Sequence, residues 1–140
     1  LKEFLIVLSI IAQIESSNNP LAYNPKTQAI GLYQITSICL KEYNSFHKTQ
    51  YTKKDLFNSK INKKIASWYL NKRIPQMLKY YKCSVTIENI LICYNWGIGN
   101  FLKWKKREGD IKKLPEETRE YLRKYFKLLK ERRRNETYNK

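Results

Sequence analysis

Residues 4–20 read FLIVLSIIAQIESSNNP, a nearly unbroken apolar run that closes on Glu15 and passes into Ser, Asn and Pro. The periodicity over residues 1–15 is that of a buried helix, apolar around most of its circumference. Residues 16–26 read as loop, because Asn18, Asn19, Pro20, Asn24 and Pro25 are turn formers. A carboxyl group placed at the end of such a helix is expected to be partly desolvated, which pushes its pKa upward. The apolar run is about 11 residues long, too short to span a bilayer. No small-residue cleavage site follows it cleanly, so it does not read as a signal-peptide core. The chain begins at Leu1 and not at Met, which raises the expectation that an export signal has been removed.

The remaining periodic segments are also helical. After Gly31 a second helix is expected from about Tyr33 to Tyr43. A third carries Ile61, Ile65, Trp68 and Tyr69 on one face and weakens near Pro75, which lacks a backbone donor. Thr86 is placed to cap a short apolar helix over residues 87–94, and Gly97 and Gly99 are expected to break it. A further helix covers residues 100–107. The last begins at Pro115, with Glu116 and Glu117 complementing the positive end of its dipole. No strand-period segment of useful length competes, although short hairpins near Tyr51 or Tyr81 are conceivable. The class is all-α. The expected domain covers residues 1–130, and residues 131–140 form a basic, frayed tail.

With 140 residues the chain can bury a real core without staples. Its formal charge of +16 is the most pronounced compositional fact and implies attraction to a polyanion: nucleic acid, an acidic membrane surface or an anionic cell wall. Part of the Lys excess is also what an AT-rich coding sequence would produce, so charge alone does not choose among these. Cys39, Cys83 and Cys93 lack metal-ligand spacing, and His47, the single histidine, has no companion ligands; no zinc site or other cofactor is expected. Cys83 and Cys93 could bridge, but the simpler reading is three small buried hydrophobes.

Several stretches carry more than helix-building requires. They are IAQIESSNNP over 11–20, AIGLYQIT over 29–36, NKKIASWYL over 62–70, CYNWGIGN over 93–100 and LPEETREYLRKY over 114–125. Taken in this order, they resemble the catalytic domain of soluble lytic transglycosylases, relatives of goose-type lysozyme. That family's pattern is an E-S pair closing a helix, then G-L-M-Q-I, N-x-x-x-G-x-x-Y-L, A-Y-N-A-G-x-G and P-x-E-T-x-x-Y. One block alone is weak; the whole series in order is specific. The chain departs from the pattern at Tyr33 (usually Met), Ala66 (usually Gly) and Cys93 and Trp96 (usually Ala), and near Asn24, where some members have a loop Ser.

The resemblance implies a lysozyme-like helical domain with a substrate cleft. It makes Glu15 the catalytic acid and base for cleaving the β-1,4 bond between N-acetylmuramic acid and N-acetylglucosamine in peptidoglycan. The muramoyl acetamido group would stabilise the developing cation and the 6-hydroxyl would close a 1,6-anhydro ring. It also implies that Tyr33, Gln34 and Asn24 line the glycan groove, that Tyr94 holds Glu15 or the acetamido group, that Asn95 braces the site, and that Ser16 orients the helix end. Ser16 and Asn95 fit a backbone-satisfying role equally well. Among the tryptophans, Trp96 is the sugar-contacting candidate, whereas Trp68 and Trp104 read as packing residues. Peptidoglycan strands are then the expected partner and a periplasmic, extracellular or wall-associated location follows. A secretion, conjugation, phage or cell-division assembly is the possible setting.

Two other readings compete. A hydrolytic muramidase would need a second carboxylate, and Glu42, Asp55 and Glu88 are the candidates, each with an ordinary capping or surface role. A non-catalytic basic helical module would bind wall glycan, or nucleic acid through TREYLRKYFKLLKERRR over 118–134. Nucleic acid is the less favoured ligand, because no helix-turn-helix or base-stacking motif is recognisable and Glu15 and the Tyr-Asn pair would go unused.

Overall fold

The computed structural model describes residues 2–139. Leu1, the first residue of the expected first helix, and Lys140, the last of the expected tail, lie outside the described residues. The chain divides into two compact units, Leu1–Lys72 and Arg73–Lys140.

In the first unit, α1 (Lys2–Ser16) buries Leu8, Ile10, Ile11 and Ala12. Its opening turns are less covered than its apolar sequence implies, for Leu5 is 50% exposed and Phe4, Ile6 and Val7 are only half-buried. A helix buries as much surface as its neighbours cover, whatever the breadth of its apolar face. The helix stops where Ser17 and Asn18 adopt left-handed backbone, at φ 54° and 62°. The chain then folds back through isolated bridges pairing Tyr23 with Ile30 and Ile30 with Ile35.

The second helix, α2 (Ser37–His47), starts later than the sequence reading places it. Gln34 sits at φ 52°, and Ile30 and Ile35 exchange both backbone hydrogen bonds at 3.0 Å. Residues 31–34 are thus a tight turn, and helix begins only after Thr36, whose side chain accepts from Cys39 N. A 3₁₀ turn (Lys54–Phe57) and α3 (Ser59–Trp68, capped by Asn58) follow, and α3 packs on both that turn and α2. Trp68 is half-buried, not a core residue; it stands edge-on to Tyr43 and His47. The expected weakening near Pro75 takes the form of a π-helical turn, Tyr69–Arg73, ahead of α4 (Ile74–Tyr80). The widened turn accommodates a proline that has no N–H to continue the ladder.

The second unit is arranged around α5 (Ile87–Trp96), which packs on α4, α6 (Ile98–Lys106) and α7 (Glu116–Tyr138). Thr86 caps α5 by accepting from Asn89 N at 3.2 Å, and Gly97 ends it at φ 93°. Gly99 does not break a helix: it lies within α6, which begins at Ile98. Helix α7 continues through residues 131–138, where the sequence reading places a frayed tail. Arg, Lys and Glu are good helix formers, and these side chains extend into solvent apart from the half-buried Arg132.

Among the described residues no paired strands occur near Tyr51 or Tyr81, and the fold is all-α. No described helix is long and apolar enough to cross a membrane. Cys39 and Cys93 are buried thiols, as expected of small hydrophobes, while Cys83 is only half-buried and donates to Tyr81 O at 3.6 Å.

Candidate active site

Glu15 is the penultimate residue of α1 and is half-buried. Its neighbour Ser16 ties the helix end to the 31–34 turn. The Ser16 hydroxyl lies 2.7 Å from Leu32 O and 3.1 Å from Ala12 O, and it accepts from Asn19 N at 3.2 Å. A hydroxyl has one proton to give, so the shorter bond to Leu32 is the better donor contact. The turn that follows Gly31 is thereby held against the helix terminus that carries Glu15.

The same turn is gripped from its other side by Asn62 of α3, a fully buried side chain. Asn62 Oδ1 accepts from Tyr33 N at 2.9 Å, while Nδ2 donates to Ile30 O at 2.9 Å and to Leu56 O at 2.8 Å. One amide therefore pairs with Tyr33 N and Leu56 O and adds a second bond to Ile30 O, which also accepts from Ile35 N. Gly31 makes this possible. Its φ is 82°, and a Cβ there would collide with Asn62 Nδ2 and Leu56 O. Gln34 adds a further tie, donating from Nε2 to Gly31 O at 3.0 Å and to Ala22 O at 3.3 Å.

Tyr33 is 3% exposed, and burial pushes its hydroxyl pKa up. Asn24 stands on the exposed loop, where its Oδ1 accepts from Lys26 N at 2.9 Å and Thr27 N at 3.4 Å. It shapes an Asx turn there. Asp55 is engaged in the same manner, accepting from Thr52 N at 2.8 Å at the start of the 3₁₀ turn. Glu42 lies on α2 near Cys39, whose pKa is raised mainly by burial and further by that carboxylate.

In the second unit, Tyr94, Asn95 and Trp96 form the last turn of α5, all half-buried. Asn95 Oδ1 accepts from Thr118 Oγ1 at 2.8 Å, and Thr118 is a buried residue of the first turns of α7. Trp96 lines a pocket of about 270 Å³ together with residues of α6 and the segment after it. Glu88 is exposed in the first turn of α5. Among the described residues no group of His, Cys, Asp or Glu could hold a metal ion.

The family model of the transglycosylase SLT domain matches residues 5–116. The chain belongs to this family. The matched segment of this SLT transglycosylase domain takes in Glu15, Ser16, Asn24, Tyr33, Gln34, Tyr94, Asn95 and Trp96. The first five belong to the first compact unit and the last three to the second. No curated protein and no solved structure matches the chain.

Two residues that organise the SLT domain locally, Asn62 and Thr118, are not among the site residues expected from the sequence, although each is a fixed position of the family pattern, the N of N-x-x-x-G-x-x-Y-L and the T of P-x-E-T-x-x-Y. The signal for Asn62 is its position on α3: it shares the buried face with Ile65 and Ala66, where a polar side chain needs a reason. Apart from its place in that pattern Thr118 gives less warning, since a Thr in the first turns of a charged helix ordinarily satisfies its own backbone.

Proposed function

We propose that this protein is a peptidoglycan lytic transglycosylase in which Glu15 is the acid and the base of a two-step reaction. The observation that carries the reading is the placement of Glu15. It is a half-buried carboxyl at the end of α1, one residue before the Ser16 hydroxyl that holds the 31–34 turn through Leu32 O. Placement on a helix terminus fixed by tertiary hydrogen bonds is what a proton donor needs, because transfer efficiency depends on geometry before acidity.

In the first step Glu15 would protonate the oxygen leaving from the bond between N-acetylmuramic acid and N-acetylglucosamine. The muramoyl acetamido oxygen would attack or shield the developing cation at the anomeric carbon. In the second step the Glu15 carboxylate would take the proton of the muramoyl 6-hydroxyl as that oxygen closes on the anomeric carbon. The 1,6-anhydro ring forms, the acetamido group is released, and Glu15 regains its proton. An internal hydroxyl replaces the positioned water that a hydrolase needs, at a much higher effective concentration. This route needs no second catalytic carboxylate, and Asp55, one of the candidates for that role, is engaged in a local turn.

By the family resemblance Tyr94 would meet the muramoyl acetamido group and Asn95 would be the bracing residue, with Asn95 held in one orientation by Thr118. Action on peptidoglycan places the protein in the periplasm or at the cell wall, and the +16 charge would retain it there on anionic wall groups. The test is digestion of purified sacculi by the wild type and Glu15→Gln. Loss of the general acid is expected to lower muropeptide release by about 10²–10⁴-fold. Equal release by the two proteins would remove the assignment, and a salt-sensitive DNA affinity with no wall digestion would favour the basic-module reading instead.

A further inference from the structure

The pocket beside Trp96 is built as a small aromatic and cationic receptacle. Helix α6 contributes Asn100, Lys103 and Trp104, and Arg107 follows at its end; these positions fall three, four and seven residues apart, which is one face of a helix. Lys113, from the 3₁₀ turn Ile111–Lys113, and Trp96, from the end of α5, complete the lining. Three cations and two indoles therefore face about 270 Å³, and no carboxylate is among the lining residues.

The parts are held in place independently of any ligand. Asn100 Nδ2 donates to Trp96 O at 2.9 Å, locking the α5–α6 corner. Trp104 is buried, and its Nε1 donates to Asp110 O at 2.8 Å, which fastens the 107–113 segment to α6. Gly109 supports the return at φ 60°, with its N–H donating to Trp104 O at 3.1 Å. The segment carries two acids, neither of them in the lining: Glu108 is exposed, and Asp110 is occupied in capping, since its Oδ1 accepts from Lys112 N at 3.0 Å. Lys105, which is not among the lining residues, has its Nζ 5.3 Å from the Trp104 ring centroid, a cation–π contact that helps to fix the indole. Three like charges converging on one hollow repel each other, and an anion relieves that repulsion.

The pocket also lies on a different side of α5 from Tyr94. At about 100° per residue, Tyr94 and Trp96 point roughly 200° apart around the helix. Trp96 thus belongs to this receptacle and not to the face that carries Tyr94.

We propose that this pocket binds a carboxylate of the peptide stem borne by the muramoyl residues of the glycan strand, with the attached apolar atoms laid on the Trp96 indole. Arg107 suits the planar carboxylate through its two-pronged donor geometry, and Lys103 and Lys113 supply point charges. The choice of a stem carboxylate over a phosphate polymer rests on the transglycosylase reading, because the stem is part of the strand being cut. The consequence is a preference for peptide-bearing strands over denuded ones.

Binding is measured on the full chain carrying Glu15→Gln, so that nothing is cut, by tryptophan fluorescence and by the NMR signals of the indole N–H groups. The probes are a muramoyl-containing disaccharide with a free-acid peptide stem, the same compound with its stem carboxylates amidated, and inorganic phosphate. The free-acid probe is expected to bind at least tenfold more tightly than the amidated one and to move the Trp96 and Trp104 signals. Lys103→Gln with Arg107→Gln should weaken it tenfold or more, and Trp96→Leu should weaken both peptide probes. Lys124→Gln with Lys127→Gln, on the exposed surface of α7, should change it less than twofold. Equal affinity for the two peptide probes, equal loss in the pocket and α7 variants, or pocket-dependent binding of phosphate alone would each overturn the proposal. Failure here leaves Glu15-dependent cutting untouched, and failure of cutting leaves the measured pocket affinity standing.

Discussion

Asn62 holds more of the candidate site together than any residue with a chemical role. Its one amide closes three backbone contacts, to Tyr33 N, Ile30 O and Leu56 O, in a fully buried position. A buried polar group deprived of its partner costs about 1–3 kcal/mol. Asn62→Leu takes the partner from Tyr33 N and Leu56 O, while Ile30 O keeps its bond from Ile35 N, and is expected to lower unfolding stability by about 2 kcal/mol or more, read from urea denaturation midpoints at constant slope. Ser16→Ala removes the part-buried bond to Leu32 O and the exposed one from Asn19 N, and should cost about 1 kcal/mol. A loss below that for Asn62→Leu would contradict its place at the centre of the turn.

Cys93 carries a second residue-level consequence. Burial, with a smaller contribution from Cys83, pushes its thiol up to about 12. At pH 8 about one molecule in 10,000 then holds the reactive thiolate. Alkylation of the native protein is expected to label Cys83 alone, with Cys39 and Cys93 reacting only in denaturant. Labelling of Cys93 at the Cys83 rate would show that the buried environment is wrong.

At the scale of elements, the site depends on where helices stop. The local stop signals were readable: Thr86 capping α5, Asn and Ser closing α1, and Gly97 terminating α5 all act through their own backbone neighbourhood. The turn of residues 31–34 was not readable as a turn. Its shape depends on Asn62, 29 residues from Tyr33 in the chain, and an apolar stretch entered after a glycine looks like helix without that contact. Gly99 misled for the related reason that glycine stops a helix only where the backbone takes a positive φ, as at Gly97. Between α5 and α7 the tie is Thr118 Oγ1 to Asn95 Oδ1 at 2.8 Å. Thr118→Val keeps the volume and removes the donor. It is expected to cost about 1–2 kcal/mol and to lower wall-digesting activity at unchanged fold, measured by denaturation and circular dichroism beside muropeptide release. Activity equal to wild type would mean that Asn95 needs no such support.

At the scale of the whole molecule, five groups spread over both units shift in acidity with one sign and one leading cause. Burial raises Tyr33, Cys39, Tyr43, Cys93 and Tyr125 alike. The unfolded chain gives up these protons at lower pH than the folded one. The stability tied to them is complete below the ordinary thiol and phenol range and falls as pH rises through it. In moderate salt, where repulsion among the excess cations is screened, Tm is expected to decline steadily from about pH 8.5 upward. A flat Tm to pH 11 would contradict the burial of these groups. The family and the all-α class were legible because several short blocks occur in order along the chain, a pattern that survives errors at any one helix boundary. The supporting bonds of Asn62 and Thr118 were not, because they join residues distant in the chain and leave no periodic trace.

The central claim is that Glu15 turns a glycan strand into a ring-closed product without water. Its most direct measurement is the mass of the muramoyl ends released from purified sacculi by the wild-type protein. Ends lighter by one water than a reducing sugar, and absent from a Glu15→Gln digest, are the expected result. Reducing ends from the wild type, or anhydro ends from both proteins, would contradict it.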